Sequence, residues 1–193
     1  MVSGVALPPV TSRADGGATG FIVQRQSRVS ALLHEPPSRE RERRVGDVLD
    51  SMIDYDDLAR RSMESHWNEL TAGQKKEFTR LLKQLVQRSY ERNIKGILDW
   101  NVEYLDEEPS SPGVTVHSRA TSKNNPRAEP VTIDYKIVQT SSGLRVYDIV
   151  TEGSSLVNNY KNQFNRILQK DGFDALIRRM KTKVAQGGEA HAR

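Results

Sequence analysis

The hydrophobic period of this chain changes twice. From Ile22 to Ile94 apolar residues recur at helical spacing, from Trp100 to Val150 they alternate with polar ones, and from Leu156 the helical spacing returns. A repeat near 3.6 residues buries a stripe of a helix, and a repeat of two buries one face of a strand. Helices before and after a block of strands, with none between them, leave no place for parallel β-α-β crossovers. The pattern predicts an α+β fold: N-terminal helices, a four-stranded antiparallel meander, and two C-terminal helices packed on the sheet.

The segment ends can be read from local chemistry. Ile22, Val29, Leu32 and Leu33 form a stripe stopped by Pro36 and Pro37, and Val45, Val48, Leu49 and Met52 form the next. Asp54 is placed to cap a helix carrying Tyr55, Leu58, Ala59 and Ser62. Thr71 and Gln74 make a capping box for the longest helix, which carries Phe78, Leu81, Leu82, Leu85, Val86, Tyr90 and Ile94 and is expected to end at Lys95-Gly96. Strands are expected at Trp100 to Leu105, Val114 to Ala120, Val131 to Ile137 and Leu144 to Val150, with a hairpin turn at Ser141, Ser142 and Gly143. Ser154 or Ser155 then caps a helix with Leu156, Val157, Tyr160, Phe164, Ile167 and Leu168. Asp171 caps a last one with Phe173, Leu176, Ile177, Met180 and Val184.

Residues 1–19, with Pro8, Pro9, Gly16 and Gly17, have no periodic apolar face and read as a disordered leader; 187–193 read as a loose tail. One domain, 20–186, lies between. The run Val5-Ala6-Leu7 is too short for a secretory h-region and no basic segment precedes it, so an export signal is not expected in this chain.

Several chemistries are excluded by what is missing. There is no cysteine, and His34, His66, His117 and His191 are too far apart to form a metal-binding pair. No G-x-x-x-x-G-K-[ST] or G-x-S-x-G motif occurs, and no apolar run approaches the ~18 residues of a membrane span. The net charge of +4 is concentrated after residue 153, whereas the first half interleaves its signs as solvated helix faces do. Nucleic acid is not an expected partner.

Three readings stay open on the residues alone. Tyr147 and Ile149 alternate with Val146 and Val150, so the last strand is apolar on both sides: it is central in the sheet, or one face lines a cavity. Asp148 is either a general base of a small cone-shaped enzyme, with Tyr147 or His117 as the acid, or a partly buried carboxylate paired with Arg60 or Arg61. The broad faces from Phe78 to Tyr90 and from Leu156 to Leu168 suit either a ligand cavity or the dry core of a helical interaction module. His66-Trp67 reads more simply as a capping and packing pair than as a site.

Two blocks of sequence resemble a known family. Tyr55, Leu58-Ala59-Arg60-Arg61, His66-Trp67, Gly73-Gln74 and Glu77-Phe78 form the first. Tyr147-Asp148-Ile149, Glu152-Gly153, Ser155-Leu156-Val157, Asn159-Tyr160, Gln163-Phe164, Ile167-Leu168 and Gly172-Phe173 to Leu176 form the second. Together they are similar to the MlaC, or toluene-tolerance auxiliary, family of periplasmic phospholipid carriers over about residues 20–180. Ser154 departs from the family's usual aliphatic residue, and the family's secretory signal is not expected in these residues.

The resemblance implies a monomeric periplasmic ferry and not an enzyme. It implies a cargo of glycerophospholipid, without a cofactor, passed between an outer-membrane lipoprotein complex and an inner-membrane ABC transporter with an MCE-type subunit. It also implies an apolar cavity for acyl chains. The residues expected to line it are Val86 and Tyr90 of the long helix, Ile133, Tyr135, Tyr147 and Ile149 of the sheet, and Val157, Tyr160, Phe164 and Ile167 beyond it. Which sheet face lines the cavity stays open.

Overall fold

Three of the N-terminal helices begin at side-chain acceptors anticipated from the sequence or of the kind that favours helix starts. The computed structural model describes residues 17–189, apart from the side chains of 91–97 and 187–189. Its first four helices are α1 (Ala18–Leu33), α2 (Arg39–Met52), α3 (Tyr55–Met63) and α4 (Ala72–Ile97). The Ser38 hydroxyl accepts from the Arg41 N–H at 3.1 Å and the Asp54 carboxylate from the Asp57 N–H at 2.9 Å. Thr71 and Gln74 exchange both bonds of a capping box, at 3.2 and 2.9 Å. Each such cap contributes about 1 kcal/mol.

The outer boundaries differ slightly from expectation. Helix α1 already includes Ala18 and Thr19, because the Thr19 N–H is held by Glu107 Oε1 at 2.7 Å and Ala18 is buried. The remainder of the expected leader, residues 1–16, lies outside the described residues, as do 190–193 of the expected tail. Helix α4 runs one residue past Gly96, and the last helix continues through Gly187 and Gly188 to Glu189. Each interior glycine costs about 1 kcal/mol, too little to stop a helix propagating from a packed stretch.

The sheet has five strands in sequential order: β1 (Trp100–Ser110), β2 (Gly113–Ser122), β3 (Val131–Thr140), β4 (Gly143–Thr151) and β5 (Ser154–Ser155). All neighbours are antiparallel. The expected four-strand meander is therefore extended by β5, which is too short to show a period. It folds back on Val150 and Thr151 through a turn in which Glu152 and Gly153 take positive φ. Gly143, at φ +96°, closes the β3–β4 hairpin as expected.

Helix α5 (Leu156–Glu189) is broken at Gly172, whose φ of 77° and ψ of 178° interrupt the helical path. Two helical stretches follow the sheet, as predicted, but Asp171 is not the cap of the second. Its carboxylate pairs with Arg179 at 2.5 Å, and Gly172 supplies the restart. The packing of α5 also differs from expectation. Its main neighbours are α4 and α3, with β4 and β5 touched as well. An aromatic series makes this contact: Trp67 meets Phe78 edge-on at 6.4 Å, Phe78 meets Phe164 at 5.3 Å, and Phe164 stacks on Tyr160 at 5.3 Å. Trp67 is thus a packing residue, and the adjacent His66 pairs with Glu69 at 3.5 Å.

A bulge in β4 corrects the assignment of its faces. Lys136 pairs with Asp148 and Ile137 with Val146, which leaves Tyr147 without an opposite residue. One extra residue reverses the alternation beyond it. Ile149, opposite Tyr135, therefore shares a face with Val146, opposite Ile137, rather than lying across from it. Tyr147 lies under the Arg61 guanidinium, 4.4 Å from its ring centre.

The same bulge settles the partners of Asp148. Its carboxylate accepts from Ser155 Oγ at 2.7 Å and from the Val157 N–H at 3.0 Å, joining β4 to the start of α5. The expected pairing with Arg60 or Arg61 does not form: both arginines bind Asp57 instead. Asp148 is only 6% exposed. Asp148→Ala is expected to lower stability by about 1–3 kcal/mol through the orphaned helix N–H, while Arg60→Ala, at an exposed pair, changes it by less than about 1 kcal/mol. Urea denaturation of the two variants checks the contrast.

Candidate functional site

Helices α1 and α2 lie against the sheet, with Tyr90 of α4 reaching over it, and the cover is uneven. Val116, Ile137 and Val146, toward the β3–β4 hairpin end, are sealed to 2% exposure or less, together with Phe78, Leu81 and Leu82. Toward the other end the helices and sheet separate around a cavity of about 490 Å³. Its floor is Trp100 and Val102 of β1, Ala120 of β2, Val131, Ile133 and Tyr135 of β3, and Ile149 and Thr151 of β4. Its roof is Arg25, Gln26 and Val29 of α1, Leu49 and Met52 of α2, and Tyr90 of α4. The volume falls within the ~300–1,000 Å³ of sites that hold organic ligands.

The lining is apolar with few polar atoms. Gln26 donates to the Tyr135 hydroxyl at 3.3 Å. Burial holds the hydroxyls of Tyr90 and Tyr135 above the ordinary phenol range, so both are neutral at physiological pH. Among the described residues no group of three His, Asp or Glu side chains could hold a metal ion. What such a space can do is shelter apolar groups from water, at ~0.8 kcal/mol for each buried CH₂.

The residues expected to line a cavity divide into three sets. Tyr90, Ile133, Tyr135 and Ile149 come together here. Tyr160, Phe164 and Ile167 instead border a separate void of about 100 Å³ between α4 and α5, with Leu85, Leu176 and Met180. Their stripe is used for helix packing. Val86, Tyr147 and Val157 line neither space: Val86 and Val157 are buried in the core, and Tyr147 is covered by Arg61.

The contributions of α1 and α2 were not anticipated. Val29 and Leu49 have the same spacing as ordinary core residues, and periodicity tells which way a residue faces without telling what it meets. Arg25 and Gln26, polar residues bordering the stripe of Ile22 and Val29, were the available signal.

Asp148 and Tyr147 do not face the cavity, and the carboxylate is committed to the start of α5. His117 is equally remote from them in its bonding. Its Nδ1 lies 2.9 Å from Asp134 Oδ1 on the neighbouring strand, and its Nε2 lies 3.4 Å from Glu108. The geometry therefore supplies no acid for an Asp148 base within the cavity.

Comparison with known proteins gives this arrangement a context. The sequence profile described as MlaC protein matches residues 25–182, which takes in every residue lining the cavity, from Arg25 to Thr151. The chain belongs to the MlaC family. A phospholipid-binding protein from Ralstonia solanacearum, solved in complex with a phospholipid, is similar to this MlaC-family chain with a TM-score of 0.76 and 23% sequence identity. The match covers 90% of this chain and 99% of that one, and at this identity the likeness is one of fold. No protein among curated sequences matches the chain.

Two measurements follow from this family member's geometry. Because Ile149 faces open space and Val157 does not, Ile149→Trp should melt within a few degrees of ligand-free wild type, whereas Val157→Trp should lose about 1–3 kcal/mol from overpacking. Thermal melts of ligand-free protein distinguish the two. The hydrogen bond to Asp134 raises the His117 pKa above 6.5, with the charges of Asp134 and Asp106 and a bond to Glu108 adding to it against desolvation. A raised folded-state pKa stabilises the protonated form. That contribution is fully present below 6.5 and is lost as pH rises through the elevated folded value. An NMR titration should therefore place His117 above 6.5 in wild type and lower in Asp134→Asn.

Proposed function

We propose that this chain is a carrier of glycerophospholipid whose acyl chains occupy the cavity between the sheet and helices α1, α2 and α4. The observation that carries the reading is a void of about 490 Å³ lined by Val29, Leu49, Met52, Val102, Ile133 and Ile149. It occurs in a member of the MlaC family whose fold is shared with a phospholipid-bound protein. Tyr90 and Tyr135 add flat apolar surface with neutral hydroxyls. In this reading the carrier unit is residues 20–186, with the helical turn from Ala18 included.

Energetics indicate how such a carrier must work. An acyl chain of about fifteen methylenes contributes on the order of 12 kcal/mol in apolar burial before ordering costs. Release into water is then extremely slow, so transfer takes place inside a complex in which the chains never cross an aqueous gap. The sequence has no P-loop, and the energy for directional transfer comes from the partner. The family resemblance supplies the setting: the periplasm, with an outer-membrane lipoprotein complex on one side and an inner-membrane ABC transporter bearing an MCE-type subunit on the other. Among the described residues no helix is long and apolar enough to cross a membrane, as a ferry between two membranes requires.

Protein purified from a bacterial host without detergent should yield phospholipid near one molecule per chain on organic extraction and mass spectrometry. The Ile149→Trp variant should remain folded and yield much less. A wild-type extract free of phospholipid would contradict the carrier reading.

A further inference from the structure

Two arginines between the cavity and the β3–β4 hairpin are neutralised by no carboxylate among the described residues. Arg43, Arg44, Arg60, Arg61 and Arg179 form ion pairs. Arg25 and Arg145 do not. They line a second pocket, also about 490 Å³, formed where α1 passes the β3–β4 hairpin. Arg25 alone lines both this pocket and the apolar cavity, so its side chain borders the two spaces.

Both side chains are held in place by neutral groups. Arg25 Nη1 donates to the Phe21 carbonyl at 3.2 Å, and its guanidinium lies 3.6 Å from the centre of the Phe21 ring. Its Nε is buried and donates to no described residue. Arg145 Nη1 donates to the Leu144 carbonyl at 2.8 Å. Burial, and then the nearby charge of Arg145, lower the Arg25 pKa, which is the mark of two cations brought together without an anion. Planar guanidinium groups with donors left over suit a phosphate oxygen pair, which they bind in bidentate fashion.

We propose that Arg25 and Arg145 are the seat of the lipid's phosphodiester, fixing the headgroup at the α1–hairpin pocket while the acyl chains extend past Arg25 into the cavity. The proposal rests on the carrier reading and adds the group by which cargo is recognised. A seat of this kind distinguishes a phospholipid from a diacylglycerol with the same chains. It is indifferent to what lies beyond the phosphate.

The test is a loading competition. Delipidated full-length protein is incubated with dioleoylphosphatidylcholine vesicles doped with dioleoylglycerol, reisolated and extracted. Wild type should be enriched in phosphatidylcholine about tenfold or more over the vesicle ratio, as loss of charge-assisted hydrogen bonds implies. Arg145→Gln should return the ratio towards that of the vesicle with total acyl chains per folded molecule unchanged, Arg25→Gln should lower the preference likewise, with its total load read separately because Arg25 also lines the cavity, and Arg145→Lys should retain part of the preference. Should Arg25→Gln fail to fold, the two Arg145 variants, at a half-buried position beside the hairpin, carry the comparison. Equal loading of both lipids by wild type, or undiminished preference in the glutamine variants, overturns the phosphate seat and leaves the carrier reading standing. If wild type loads neither lipid, the carrier reading falls and the seat with it.

Discussion

The structure depends on a mismatch of lengths between its sheet and its helices. The four main strands have nine to eleven residues, about 30 Å or more at ~3.3 Å per residue, while a helix crossing them covers a width of about 10 Å. Close packing is achieved at the hairpin end, where Ile53 bridges to Val146 and the Asp54 N–H bonds the Val146 carbonyl at 2.9 Å. That junction fixes α2 and α3 against β4. Towards Trp100 and Thr151 helices α1, α2 and α4 stand off the sheet, and the space between them and the sheet is the cavity. The void is a consequence of where the helices are fastened.

A second fastening ties the C-terminal helix to the sheet. Asp148 is a charged group in a nearly closed environment, and it is tolerated there because two donors, the Ser155 hydroxyl and the Val157 amide, satisfy it. The amide is one that the first turn of α5 would otherwise leave unbonded. The aromatic series from Trp67 through Phe78 to Phe164 then holds the rest of that helix on α4. Helix α5 thus braces the helices from behind while leaving the cavity to others.

Much of this was legible in the sequence. Asp54 and the Thr71–Gln74 box act where they were expected to, and the strands fall where the period becomes two, because each signal is local. The errors have a common origin in non-local effects. A single unpaired residue at Tyr147 reversed the facing of Ile149 relative to Val146. Nothing in the composition of β4 marks that position. Phe164 and Ile167 form an apolar stripe identical in appearance to one that would line a cavity, and only the direction of α5 assigns it to helix packing. Conversely, Arg25 looks like an ordinary boundary residue of an amphipathic helix until the hairpin brings Arg145 beside it.

The cavity draws its walls from residues as far apart as Arg25 and Thr151. No single helix or hairpin contains enough of it to hold an acyl chain, and its floor alone needs four strands in register. Such a site exists only after long-range contacts have formed, so a ligand has nothing to grip in the unfolded chain or in an early, locally structured intermediate. A ligand held there acts on one side of the folding reaction. It slows unfolding by stabilising the finished state, and leaves the rate of folding to the chain itself. The chain reaches its native topology with the cavity empty, and a ligand enters a completed architecture rather than helping to build one.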